Sequence, residues 1–172
     1  LAHVVTLQMS NYRVPRWLTE GISVYEEKLK RAEWGRGMEM QFASMLNDGE
    51  TLKLRDLNSA FTDPRTISLA YYQASLLVEH IVATHGEPGL RRLLRAYGQG
   101  LDTDAALRSA LDTNLDGMQA GFDQTVDRMF GGLRKALAID KDTELTKMPL
   151  DVLRVYAGER PGSYPAQMVL GL

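Results

Sequence analysis

The sequence predicts an all-α fold, and three observations lead to that prediction. Apolar residues recur at spacings of three and four along most of the chain. No segment alternates between apolar and polar residues for long enough to predict a strand. Hydrophobic residues make up 44% of the 172 residues and charged residues 24%, which is the balance of a globular chain. The length suits one compact domain with a short appendage.

Two helices are predicted at the beginning of the chain, over residues 1–9 and 16–30. The second follows Pro15, which stands where a first-turn proline is common. The first is apolar from Leu1 onward and has no capping residue, which indicates that sequence is missing upstream. The chain stops equally abruptly at Leu172. We therefore expect both ends to be cuts within a longer protein.

Breaks in the apolar pattern separate the remaining helices. Gly35 and Gly37 are expected to interrupt the chain before a short helix, and the run from Gly86 to Gly89 predicts a sharp break. The longest apolar helix is expected to begin at Pro64 and to end before that break. Further helices are predicted over residues 39–46, 64–84, 90–97, 104–111 and 115–138, and from Pro149 and Pro165.

The composition excludes several classes of function. Cysteine is absent, which excludes disulfides, thiolate metal sites and a cysteine nucleophile within this sequence. Lys and Arg number 20 against 22 Asp and Glu, and no basic patch stands out, so we predict no nucleic-acid binding. The apolar runs are far shorter than a bilayer is thick, so no membrane span is predicted either.

A histidine and a glutamate on the first two helices are the candidates for metal chemistry. A lone helix histidine is more often structural than functional, and most helix glutamates are simply solvated. Glu20, however, stands beside Trp17 and Leu18 on the apolar half of its helix. A carboxylate is costly to bury there unless it is paired or bound to a metal. His3 and Glu20 lie on consecutive helices joined by a short loop and can converge as ligands of zinc.

The segment from Trp17 to Glu27 resembles the third-ligand helix of the gluzincin zinc metallopeptidases. Its Trp-Leu-Thr-Glu-Gly string is similar to both the aminopeptidase N-like and the peptidase MA-like families. The resemblance implies that Leu1-Ala2-His3 is the end of a His-Glu-x-x-His motif, with the first histidine and the catalytic glutamate immediately upstream. It also implies that His3 and Glu20 are zinc ligands. The two stand two positions closer than in the aminopeptidase N-like family, which favours the peptidase MA-like group.

Two further residues take roles from the same resemblance. The Tyr-Gln-Ala-Ser run at Tyr72 resembles a helix whose tyrosine stabilises the oxyanion, so Tyr72 is expected to face the zinc site and Tyr71 to pack elsewhere. The alternative is that both tyrosines are core aromatics. Glu27 is expected in the second shell, orienting a ligand histidine. The alternative for Glu27 is an exposed helix charge.

The end of the chain has a different pattern. Pro161 and the Leu170-Gly171 pair have the spacing at which one tetratricopeptide-like hairpin closes and the next one opens. We therefore predict residues 1–140 as the helical part of a peptidase MA-like domain, and residues 141–172 as a linker with the start of a helical repeat. The fold class becomes an all-α C-terminal subdomain of a gluzincin followed by tetratricopeptide-like helices.

These predictions combine into one leading function and one alternative. The intact protein is expected to hydrolyse peptide bonds with zinc, acting on a peptide or protein substrate and contacting protein partners through the repeat. This chain by itself is expected to be inactive and to hold zinc weakly or not at all, because one ligand and the base are missing. The alternative is a non-catalytic helical interaction module with a degenerate metal site. The residues before Leu1 distinguish the two: His-Glu there favours the enzyme. Exported localisation follows from the resemblance only.

Overall fold

A computed structural model describes residues 2–31, 33–138 and 145–171, without the side chains of residues 2–3 and 33–36. Within those ranges the chain forms eight α-helices and two short 3-10 turns, with no strand, so the all-α prediction is confirmed. The α-helices are α1 Ala2–Met9, α2 Arg16–Lys30, α3 Glu33–Asp48, α4 Ile67–Gly98, α5 Thr103–Leu111, α6 Leu115–Leu137, α7 Leu150–Glu159 and α8 Tyr164–Leu170. The 3-10 turns are Ser59–Thr62 and Leu145–Lys147. No helix in the described part is long and apolar enough to cross a membrane.

Two predicted helix boundaries differ from the observed ones. The expected break at Gly35 and Gly37 is wrong, because α3 runs through both positions. Each helical glycine costs only about 1 kcal/mol, which the packing of Phe42 and Ala43 in the same helix outweighs. The helix expected from Pro64 begins instead at Ile67. The break expected at Gly86 is confirmed: its φ of 68° and ψ of 173° divide α4 into two helical segments.

The chain divides into two compact units, and the first comprises Leu1–Met38 and Thr51–Thr125. Its central element is α4, which packs against α1, α2, α5 and the 3-10 turn Ser59–Thr62. The approach of α2 to α4 is closest at Gly21, where an added Cβ would lie 2.7 Å from the carbonyl oxygen of Ala74. Glycine is required at this crossing because the neighbouring atoms belong to the backbone.

The segment before α4, residues 51–62, belongs to the first unit and is held against its helices by side-chain amides. We call this segment the strap. The buried amide of Gln73 bonds both the N–H and the C=O of Leu52, and the Leu52 N–H donates to Oε1 at 3.0 Å. The backbone N–H of Trp17, at the start of α2, donates to Oδ1 of Asn58 at 3.3 Å. The strap thus fixes the beginning of α2 relative to α4.

The second unit comprises Glu39–Glu50 and Val126–Leu172. Phe42 and Phe130 pack edge to face within it, with ring centroids 5.1 Å apart. Helices α7 and α8 pack against each other, and the buried residues Leu153, Ala157 and Ala166 belong to one hydrophobic cluster. The domain boundary predicted at residue 140 lies outside the described residues, and that division stays a prediction.

Candidate active site

A cleft of about 830 Å³ opens in the first unit between α1, α2 and α4. Its lining includes apolar residues of all three helices and carboxylates of both α2 and α4. The lining residues used below are Thr6, Glu20, Ser23, Tyr25, Glu26, Glu27, Tyr71, Glu87 and Arg91.

Glu20 reaches this cleft from the middle of α2. Trp17, Leu18 and Thr19 on the preceding turn are buried, which holds the helix face rigidly against α4. The Glu20 side chain is only 17% exposed, and its Oε1 lies 3.5 Å from Nε of Arg16, one turn earlier. The sequence-predicted ligand is therefore a largely shielded carboxylate in the wall of a cleft.

Helix α1 lies alongside α2 at this point. The hydroxyl oxygens of Thr6 and Thr19 are 3.2 Å apart, within hydrogen-bond distance, and both residues are buried. His3 stands one turn before Thr6 in α1, and its side chain lies outside the described residues. Within the described part, no group of three His, Asp or Glu could hold a metal. The convergence of His3 with Glu20 stays a prediction.

The two tyrosines of α4 have different surroundings. Tyr71 lines the cleft together with Glu20, whereas Tyr72 is outside the lining and only 6% exposed. Nζ of Lys28 lies 5.7 Å from the centroid of the Tyr72 ring and also 3.0 Å from Oε2 of Glu79. Neighbouring helix residues point about 100° apart, so only one of the two can face the cleft. The role predicted for Tyr72 stays a prediction.

Glu27 and Ser23 both lie on the cleft wall, as their shared face of α2 with Glu20 predicts. The hydroxyl of Ser23 donates to the carbonyl of Thr19 at 3.1 Å, so it is engaged within its own helix. Glu27 is exposed at its position two turns after Glu20. Its second-shell role stays a prediction.

Tyr25 is a cleft residue that the sequence did not single out. Partial burial raises the pKa of its phenol, and the negative charges of Glu79, Glu26 and Glu87 raise it further. Glu26 and Glu87 line the cleft as well, and Glu87 is paired with Arg91 at 2.9 Å. Carboxylates of both α2 and α4 thus act on the Tyr25 phenol, which requires the two helices to pack together.

The family model of the Peptidase MA superfamily matches residues 1–128. The chain belongs to this superfamily. No curated protein and no solved structure matches the chain. The family match includes α1 to α5 and therefore every wall of the cleft.

Membership in the Peptidase MA superfamily gives the cleft a chemical context. The matched residues 1–128 therefore form a peptidase-related domain, whose expected substrate is a peptide. The Trp-Leu-x-Glu-Gly string of α2 lies inside the matched region, while α7 and α8 lie beyond it. The resemblance of the chain's end to a tetratricopeptide repeat stays a prediction.

Proposed function

We propose that this chain contributes the helical wall of a zinc peptidase active site, with His3 and Glu20 as two of the metal ligands. One observation carries the proposal. In a Peptidase MA superfamily chain, the carboxylate of Glu20 is 17% exposed and lines a cleft beside the helix that contains His3. A carboxylate in that setting is stabilised by a cation, as its pair with Arg16 at 3.5 Å illustrates.

The chemistry of these donors fits zinc. Catalytic zinc sites take imidazole nitrogen and carboxylate oxygen from three protein residues and leave one position open. When bound, zinc acidifies a water molecule and polarises the peptide carbonyl. The resemblance of α1 and α2 to gluzincins assigns the remaining ligand and the general base to a His-Glu pair directly before Leu1.

The phenol that stabilises the oxyanion is proposed to be that of Tyr71 rather than Tyr72. Its support is the cleft, which Tyr71 lines together with Glu20. A phenol O–H donates a hydrogen bond to developing negative charge at little reorganisation cost when its ring is held in place. Glu27, further along the same wall, is proposed to orient a ligand histidine.

Zinc binding tests this proposal without an assay for an unknown substrate. The chain extended by His-Glu before Leu1 is expected to bind zinc at one equivalent by elemental analysis. Glu20→Gln in that chain is expected to weaken binding at least tenfold, because a coordinating carboxylate becomes a neutral amide. Glu26→Gln is the matched control, since Glu26 is a cleft carboxylate on the same helix but without an assigned role. Equal binding by Glu20→Gln and the parent chain would contradict the proposal.

A protein-interaction role is a second candidate for the other end of the chain. Leu150, Val155 and Met168 on α7 and α8 are 55%, 63% and 60% exposed, although all three are large apolar residues. Such side chains are common where a helical hairpin contacts another protein. Loss of a partner in co-purification with Val155→Glu, but not with Glu20→Gln, would separate this role from the metal site.

A further inference from the structure

Arg16 and Phe61 connect the two side chains to which the proposed function assigns chemistry. We propose that they are positioning residues, which hold the Glu20 carboxylate and the Tyr71 ring in one fixed arrangement across the cleft. This inference rests on the proposed function, which assigns roles to Glu20 and Tyr71. The contacts that carry it do not involve a metal.

Arg16 makes three contacts at once from the first turn of α2. Its Nε lies 3.5 Å from Oε1 of Glu20, and its Nη1 donates to the carbonyl oxygen of Phe61 at 3.4 Å. The guanidinium carbon also lies 5.4 Å from the centroid of the Phe61 ring. A planar guanidinium can serve a carboxylate, a carbonyl and a ring face together, which an ammonium group cannot.

Phe61 extends this connection to Tyr71. Its ring, 2% exposed, meets the Tyr71 ring edge to face, with centroids 5.0 Å apart and planes at 82°. The backbone around Phe61 is also held: the Thr66 hydroxyl donates to the carbonyl of Ala60 at 2.9 Å. Glu20, Arg16, Phe61 and Tyr71 therefore form an unbroken series of contacts, all within the first unit.

Energetics argue against a purely structural purpose for Arg16. Its side chain is 47% exposed, and an ion pair at such a site contributes only about 0–1 kcal/mol to stability. A cation in the first turn is moreover opposed by the helix dipole. The ion pair with Glu20 therefore contributes little to folding, and we assign it the role of orienting the Glu20 carboxylate.

Tyrosine-selective NMR of the 172-residue chain tests the proposal, with the Tyr71 ring signals assigned by their absence in Tyr71→Phe. Arg16→Met is expected to shift those signals and to leave the thermal midpoint nearly unchanged. Arg16→Lys is expected to behave like Arg16→Met, since the lysine ammonium group cannot make the contacts of the planar guanidinium. Arg91→Met is the control: Arg91 also lines the cleft and forms an i,i+4 pair, with Glu87.

A double-mutant cycle separates positioning from simple packing. Glu20→Gln is expected to shift the Tyr71 signals through Arg16, and this effect is expected to vanish in the Arg16→Met background. In the chain extended by His-Glu, Arg16→Met is expected to weaken zinc binding about tenfold. Tyr71 ring signals that are unchanged by both Arg16→Met and Glu20→Gln would overturn the inference. An extended chain that binds no zinc would instead refute the proposed function and leave the NMR result to decide the positioning role.

Discussion

Replacing Gly21 by alanine tests how closely α2 must approach α4 to form the cleft. The added Cβ would lie 2.7 Å from the carbonyl oxygen of Ala74, 2.9 Å from its carbonyl carbon and 3.0 Å from Cγ2 of Val78. The first two atoms belong to the backbone of α4, which cannot turn aside as a side chain can. The two helices must therefore separate, and Glu20 on α2 must move away from Tyr71 on α4.

Two opposing effects determine how much Gly21→Ala changes the free energy of unfolding. Overpacking of a core typically costs about 1–3 kcal/mol, and contact with backbone favours the upper part of that range. Alanine in a helix gains about 1 kcal/mol over glycine. We therefore expect Gly21→Ala to lower the free energy of unfolding by about 1–2 kcal/mol.

Urea unfolding followed by circular dichroism measures this change. Gly132→Ala is the matched control, because Gly132 lies in α6 and an added Cβ there would meet nothing within 4 Å. It is expected to stabilise the chain by about 1 kcal/mol through helix propensity alone. A Gly21→Ala chain as stable as Gly132→Ala would refute the close approach and with it the geometry of the cleft. Gly21→Ala should also shift the Tyr71 NMR signals, whereas Gly132→Ala should not.

Three further predictions concern single interactions. Burial raises the pKa of Tyr97 to about 12, so its contribution to stability is full below the ordinary pKa of about 10 and is lost as the pH rises through about 12. Tyr97→Phe should abolish about 2 kcal/mol of that alkaline loss, measured as the difference in the free energy of unfolding between urea titrations at pH 9 and pH 12, and an unchanged loss would contradict it. Asp102 caps α5 by accepting from the N–H of Ala105 at 2.9 Å, so Asp102→Ala should cost about 1 kcal/mol in the same assay, whereas no cost would show the cap to be unimportant. Gln73→Leu should cost about 2 kcal/mol and increase amide exchange at Leu52, because it leaves two backbone groups of the strap without their partner; unchanged exchange would exclude that role.

The helices and the candidate ligand could be predicted from the sequence because both depend on local information. The apolar spacing of α2 and the break at Gly86 follow from backbone preferences that a few neighbouring residues determine. Glu20 stood out because a carboxylate beside Trp17 and Leu18 is costly to bury, and burial of those two neighbours is what the structure shows. The i,i+4 spacing of Arg16 and Glu20 also indicates that the two side chains can form an ion pair. The contact of Arg16 with Phe61 has no such signal in the sequence.

What the sequence determined, then, is an all-α chain of the Peptidase MA superfamily with Glu20 on the inner face of its second helix. The tertiary structure alone decided which tyrosine of α4 faces the cleft. The reason is that α4 is buried nearly all round between Leu69 and Ile81, so its apolar pattern defines no unique inner face. A helix that is buried on nearly all sides can be rotated by one residue without changing its apolar pattern. Tertiary contacts, such as those of Tyr71 with Phe61 and of Tyr72 with Lys28, fix its orientation.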